Sequence, residues 1–375
     1  MEIFIQNTTT PLPVAAAAET KAAKRRSTRQ VTVGGITIGG NAPISVQTMT
    51  KTKTGDVAAT VAQIITAAEA GCDIVRVTVN DKEAAEAIAE IVRQSPIPVV
   101  ADIHFNHIFA LKAIEANVAK VRLNPGNIGT RERIHQVLHA AKDRGIPIRI
   151  GVNSGSLEED ILNKHGYPTA EALFESAMRH VGICDEAGFT DVIVSVKSTD
   201  VRLMIDAYRL VAQRTDIPLH LGVTEAGTTR VGTIKSAVGI GTLLAEGIGD
   251  TIRVSLTDEP VKEVEVGKEI LRTLGLATRN VELIACPTCG RLEVDLFGIM
   301  AELEKRLKGV KKPVKIAVLG CVVNGPGEAS EADIGIAAGK GVGILYRKGE
   351  VVRKVKESEI VDVIVEEVHR FQPEV

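Results

Sequence analysis

The chain has no tryptophan, and only 3% of its 375 residues are aromatic. A core without large rings must be filled by Val, Ile, Leu and Ala, the side chains of strands buried on both faces. Cysteine is scarce as well: five residues, too few and too scattered for a disulfide framework. That points to a reducing, cytoplasmic setting in which thiols are core, metal or catalytic groups. An excess of one charge is also missing. The formal net charge is −2, which argues against a nucleic-acid or anionic-membrane surface and leaves only local basic sites. No apolar run approaches the roughly 18 residues of a membrane span.

Hydrophobic residues make up 45% and charged residues 25% of the chain, the composition of a soluble globular protein. Single cores stop growing at about 250–300 residues, so one large and one small domain are expected. Residues 1–30 are rich in Thr, Ala and Pro and end near the basic run Lys24-Arg25-Arg26. Their apolar patch is too short for a signal-peptide core, and the positive charges follow it rather than precede it. They read as a disordered tail, with an organelle transit sequence as the alternative.

From residue 43 one pattern repeats: a short β-branched run ends in polar or glycine residues, and an Ala-rich amphipathic stretch follows. Strands are expected at 43–50, 73–79, 98–104, 120–126, 147–155, 191–198, 218–227 and 251–257. Eight βα units over about 235 residues match the usual size of a (β/α)8 TIM barrel, about 250. A doubly wound open sheet competes, and the count of eight favours the barrel, assigned to residues 31–277. The segment 31–38, with Gly34-Gly35 at its turn, reads as a hairpin placed to plug the barrel bottom. Residues 281–375 change character and read as a small α+β domain.

Alternation along a strand puts positions two apart on one face. Polar residues recur in such pairs at the C-terminal halves of the expected strands: Arg76 and Thr78, Asp102 and His104, Arg122 and Asn124, Arg149 and Asn153, Ser195 and Lys197, Arg253 and Ser255. Any one strand arginine, taken alone, is a rim salt bridge. Five cations at one height, with only Asp102 and Glu225 as obvious acids, are not. Unpaired buried charge is costly, and the C-terminal face of this fold is the catalytic one. The cup therefore calls for a strongly anionic ligand, and planar arginine forks match phosphate better than a single carboxylate.

Cys286 and Cys289 have the spacing that brings two thiolates to one centre, and Cys321 follows 32 residues later. A Cys3His zinc site lacks a well-placed histidine, since His369 sits in the last helix. A redox Cys-x-x-Cys needs no third cysteine. Glu328, in a loop expected to be stiffened by Gly325, Pro326 and Gly327, is the remaining oxygen ligand. Three thiolates and a carboxylate are unusual for a plain electron carrier. Iron–sulfur and zinc both stay open on spacing. Cys72 and Cys184 read as small buried hydrophobes.

At this point the chain resembles the bacterial 4-hydroxy-3-methylbut-2-enyl diphosphate synthase family (IspG/GcpE). The resemblance is carried by Ala101-Asp102-Ile103-His104-Phe105, by Asn124-Pro125-Gly126-Asn127-Ile128-Gly129, by Cys286-Pro287-Thr288-Cys289 and by the segments 148–157, 219–227, 247–256 and 320–329. It runs from about Ser27 to the C-terminus, without the large insert of the plant relatives. Gly290 departs from the frequent Ser, and the N-terminal tail is longer than usual.

The resemblance implies reductive opening of 2-C-methyl-D-erythritol 2,4-cyclodiphosphate, with loss of water, to 4-hydroxy-3-methylbut-2-enyl diphosphate. It implies a diphosphate held by Arg76, Arg122, Arg149, Lys197, Arg253 and Ser255, with Asn124 and Asn153 beside them. It further implies a [4Fe–4S] cluster on Cys286, Cys289, Cys321 and a replaceable Glu328, and Asn324 near the substrate. Glu225, then Asp102, are the acid–base candidates, and flavodoxin or ferredoxin is the electron donor. A last barrel helix that runs to the bottom leaves the cluster domain at the wrong end for its own mouth. A homodimer with each active site shared between chains is therefore expected. Two other readings compete: a barrel with a structural zinc knob, and a non-catalytic electron-transfer subunit.

Overall fold

The computed structural model describes residues 24–104, 106–123, 130–277 and 280–372. They form two compact units, divided between Leu276 and Ala277.

The first unit opens with an antiparallel hairpin of β1 (Val31–Val33) and β2 (Ile36–Ile38). Eight parallel strands follow: β3 (Ser45–Met49), β4 (Ile74–Thr78), β5 (Val99–Ile103), β6 (Lys120–Leu123), β7 (Ile148–Asn153), β8 (Val192–Lys197), β9 (His220–Leu221) and β10 (Thr251–Ile252). Their order in the sheet is β8-β7-β6-β5-β4-β3-β10-β9. A parallel bridge from Val194 to Leu219 joins the two ends, which closes the barrel and excludes the open sheet. Nine helices among the described residues connect and surround the strands: α1 (Val57–Glu69), α2 (Lys82–Gln94), α3 (His107–Glu115), α4 (Arg131–Asp143), α5 (Glu159–His165), α6 (Ala170–Glu186), α7 (Val201–Arg214), α8 (Thr229–Ala245) and α9 (Pro260–Thr273). Asp56, Asp81, Asn106, Thr169 and Asp200 each begin a helix by accepting a backbone N–H two or three residues on. This satisfies donors that the first helical turn leaves free.

The expected strands at 218–227 and 251–257 shrink to two residues each. In the first of them Glu225 has φ +48° and Gly227 has φ +105°. Left-handed residues cannot continue a pleat, so no strand can run through 225–227. One bond survives past the turn, from Thr257 N–H to Gly227 C=O at 3.0 Å.

The hairpin packs under the barrel as the sequence led us to expect. Val31, Val33 and Ile38 form one buried cluster with Ile74, Val100 and Ile193, inner residues of β4, β5 and β8. Its turn fits because Gly34 has no side chain: a Cβ there would stand 2.7 Å from Pro98 Cβ and 2.8 Å from Ala119 Cβ. Residues 24–30, expected as the end of a disordered tail, instead bind the same end of the barrel. Arg26 donates to the carbonyls of Ala212, in the last turn of α7, and of Thr215 and Ile217 just beyond it. Arg25 and Thr28 donate to Asp250, whose other oxygen accepts from Leu219 N–H. Composition concealed this, because the basic run finds partners that are backbone carbonyls far along the chain.

The second unit is a five-stranded sheet in the order β11 (Glu282–Ala285), β12 (Lys315–Leu319), β13 (Ile334–Gly339), β14 (Val342–Arg347) and β15 (Glu350–Lys356). The first three strands are parallel and the last two antiparallel. One face is covered by α10 (Leu296–Arg306) and α12 (Ile360–Arg370), and Leu303, Ile316, Ile336, Ile360 and Val368 fill the core between. A smaller cluster, with Ala329 of α11 (Gly325–Ser330), covers the other. No described helix in either unit is long and apolar enough to cross a membrane.

Ile38 is fully buried at the plug. Ile38→Ala is expected to cost about 2–5 kcal/mol of folding free energy, read as a fall in the denaturation midpoint. An unchanged midpoint would remove the plug from the list of stabilising contacts.

Candidate active site

The C-terminal half of the barrel interior is lined by cations placed by strand register. Asp102 of β5 lies opposite Arg122 of β6, which lies opposite Arg149 of β7, while Asn153 pairs with Lys197 of β8. Asp102 is the hub. Its Oδ1 accepts from Arg122 Nη1 at 2.8 Å, and its Oδ2 lies 3.4 Å from Arg76 Nε. Burial alone would raise its carboxyl, but the Arg76 and Arg122 guanidiniums override that and hold it well below the usual carboxylate range. His104 joins the group 3.4 Å from Arg122 Nη1.

A second acid completes the wall. Glu263 in α9 is buried and accepts from Arg253 Nη2 at 3.0 Å, from Thr48 Oγ1 at 2.7 Å and from Leu256 N–H at 3.0 Å. Arg253 also donates to Ser255 Oγ. Two acids therefore face five buried or nearly buried cations: Arg76, Arg122, Arg149, Lys197 and Arg253. Arg149 is only 1% exposed, and its Nε and Nη1 have no hydrogen-bond partner. Burial, with Arg149 next, pushes the Lys197 ammonium well below the ordinary lysine value. Burial likewise lowers Arg76 to about 10.

The floor of this cup continues the theme. Lys120, two residues before Arg122, and His220 of β9 are fully buried, and their nitrogens have no hydrogen-bond partner. Burial and the neighbouring Arg149 lower both. Space for the large side chains comes from glycines on the wall. A Cβ at Gly151 would stand 2.7 Å from Arg122 Nε, and one at Gly222 would stand 2.8 Å from Lys197 Nζ.

These positions were outside the sequence-derived site. Lys120-x-Arg122 and His220-x-Gly222 obey the same period-two alternation as the predicted residues, so a signal existed. Glu263 gave little warning, because an acid within an amphipathic helix is ordinarily a solvated one.

Glu225 is exposed in the turn beyond β9, in the left-handed backbone already noted. Non-glycine residues held in that region cluster at functional sites. Asn124 lies outside the described residues.

In the second unit, parallel β11 and β12 end side by side, Ala285 opposite Val318. Cys286 follows the first strand, and its Sγ accepts from Gly320 N–H at 3.4 Å. Cys321 follows the second. Cys289 lies beyond a turn at Thr288 with φ +52°. Backbone and side-chain hydrogen bonds from Arg291 pull the Cys289 thiol down, and backbone N–H groups of Asn324 and Val323 do the same for Cys321. Accessible, electropositive surroundings of this kind favour thiolate, the form that binds metal. The donor set therefore fits a soft metal centre. Among the described residues, no three His, Cys, Asp or Glu side chains converge on one metal-sized point.

The expected Glu328 loop is corrected. Gly325, Pro326 and Gly327 form the first turn of α11, with Asn324 at its N-cap position. Proline suits that turn, since it lacks only an N–H that would be unpaired there. Asn324 and Glu328 are both exposed, and Glu328 N–H bonds to Asn324 C=O at 3.2 Å.

Two family patterns match the chain: the GcpE TIM-barrel domain over residues 28–268 and the GcpE protein C-terminal domain over residues 282–370. Among curated relatives, the 4-hydroxy-3-methylbut-2-en-1-yl diphosphate synthase (flavodoxin) of Clostridium perfringens is 58% identical, covering 91% of this chain and 98% of its own. The proteins of the same name from Geobacillus thermodenitrificans and Geobacter sulfurreducens are 57% and 55% identical. Each alignment covers 93% of this chain, with 94% and 99% of the respective relative.

An anion entering the cup must raise the depressed lysines toward their ordinary range, so binding takes up protons and weakens as pH rises. Calorimetric titration with inorganic diphosphate in buffers of differing ionisation enthalpy should show that uptake. Gly151→Ala should weaken the binding about tenfold by displacing Arg122, while Gly182→Ala, in open space on α6, should not. Release of protons on binding, or equal effects of the two substitutions, would contradict the assignment.

Proposed function

The chain belongs to the GcpE family, and from that premise we propose that it works as a 4-hydroxy-3-methylbut-2-en-1-yl diphosphate synthase on 2-C-methyl-D-erythritol 2,4-cyclodiphosphate. Two electrons and two protons open the ring, and one water leaves. The observation that carries this reading is the surplus of buried cations over acids inside the barrel. Such a surplus is unfavourable until a polyanion enters, and a cyclic diphosphate brings the required charge without bulk.

The residues divide the work. Arg149 presents unpaired guanidinium N–H groups, and with Arg76, Arg122, Lys197 and Arg253 it holds the phosphates. Ser255 and Asn153 stand at the same mouth, and Asn124 is assigned there from the family. Asp102 is better suited to orienting Arg76 and Arg122 than to donating a proton, because the two guanidiniums keep it ionised. Asp102 is therefore a positioning residue for the two arginines, in place of the acid–base role the sequence suggests. Glu225, exposed on its strained turn, is the proton donor to the departing hydroxyl. Cys286, Cys289 and Cys321, with Glu328, would hold a [4Fe–4S] cluster, and Asn324 would approach the substrate beside it. Bound there, the cluster supplies the two electrons, drawn from reduced flavodoxin or ferredoxin. The active form is taken to be a cytoplasmic homodimer whose sites combine one protomer's barrel with its partner's cysteines.

Anaerobically purified protein should contain iron and sulfide and absorb in the visible. It should turn over the cyclodiphosphate with dithionite, and Cys321→Ala or Glu225→Ala should lower the rate at least a hundredfold. Zinc without iron would overturn the cluster assignment. Mixing the Cys321→Ala and Glu225→Ala chains should restore part of the activity, and verified heterodimers with none would overturn the shared site.

A further inference from the structure

The β14–β15 hairpin is unlike the rest of the chain. Between residues 340 and 356 stand six basic residues, Lys340, Arg347, Lys348, Arg353, Lys354 and Lys356, against one acid, Glu350. The whole protein is net negative, so this strip is a local positive pole. Arg347 is held by Glu367 at 2.7 Å and Lys356 lies 3.8 Å from Glu359, whereas Lys340, Arg353 and Lys354 enter no ion pair among the described residues. β15 is also the edge of its sheet. Six of its seven residues are exposed, and only Val355 is buried.

The strip adjoins the cysteines. Gly339, the last residue of β13, pairs with Val342, which pairs in turn with Lys356. A Cβ on Gly339 would stand 2.9 Å from Val322 Cγ1, and Val322 is the next residue after Cys321. Around this junction apolar side chains face outward: Val322 is 59% and Val323 60% exposed, and Val342 is exposed as well; Val351 and Val352 add exposed apolar surface toward the other end of β15. Apolar centres with a charged rim are the anatomy of protein interfaces. Edge strands do carry lysines simply to prevent unwanted pairing. That purpose does not require the positive edge to end beside a cysteine that would hold the electron-carrying group.

Resting on the reading that a protein delivers the electrons, we propose that the β14–β15 hairpin is the docking edge for that donor, an acidic redox protein. Its negative surface meets Arg353 and Lys354 and brings its redox group toward the Cys321 end of the hairpin. Complementary charge of this kind sets encounter rate and orientation more than the chemical step.

The test compares holoenzyme with an Arg353→Glu/Lys354→Glu variant, using reduced flavodoxin and dithionite as alternative reductants. The variant should raise the KM for flavodoxin about tenfold or more and flatten its dependence on salt. Its rate with dithionite should stay within about twofold of the parent, and Arg353→Lys/Lys354→Arg should restore the flavodoxin KM. An unchanged flavodoxin KM would overturn the proposal and leave the charges as guards of the edge. An equal loss with dithionite would also overturn it, by placing the hairpin in the fold or the substrate site. If the parent enzyme turned over with neither reductant, the functional reading would fail instead.

Discussion

Everything in the barrel interior depends on one carboxylate. Asp102 lies between Arg76 and Arg122, and without it four guanidiniums and two lysine side chains would share a buried volume with Glu263 as the only acid among the described residues. Removing one partner of a buried pair typically costs about 3–5 kcal/mol. Asp102 fixes the directions of Arg76 and Arg122, Glu263 fixes that of Arg253, and Gly151 and Gly222 leave room beside Arg122 and Lys197. The surplus of buried positive charge is unfavourable by itself, and a bound polyanion would offset it. Affinity and instability here are two aspects of one charge imbalance.

The second unit follows a different logic. Two parallel strands deliver Cys286 and Cys321 to one sheet end, where backbone N–H groups and Arg291 stabilise thiolate. The barrel is built for a ligand's negative charge, and the second unit for soft donors and electrons. The positive hairpin belongs to the electron side of this division, which is why its loss should be felt with a protein reductant alone.

Much of this was legible in the sequence. The alternation Arg76-x-Thr78 or Ser195-x-Lys197 identifies a strand face directly, because the period of a strand is fixed by its geometry. The three cysteines were visible from their spacing, and the family resemblance supplied the chemistry that spacing left open. What escaped depended on distant partners. Glu263 looks like any helix-surface acid until α9 is laid against β3, beside Arg253. Arg26 looks like part of a tail until its carbonyl acceptors, nearly two hundred residues away, come alongside. Gly151 and Gly222 act by lacking a side chain, and an absence has meaning only once Arg122 and Lys197 occupy the space. The Glu328 segment was misread as a loop because its glycines and proline suit a loop and a helix's first turn equally well.

The hairpin beneath the barrel closes one end of the vessel with Val31, Val33 and Ile38. With that end filled by packed side chains, the passage of reactant and product falls to the opposite end, the one the cations face.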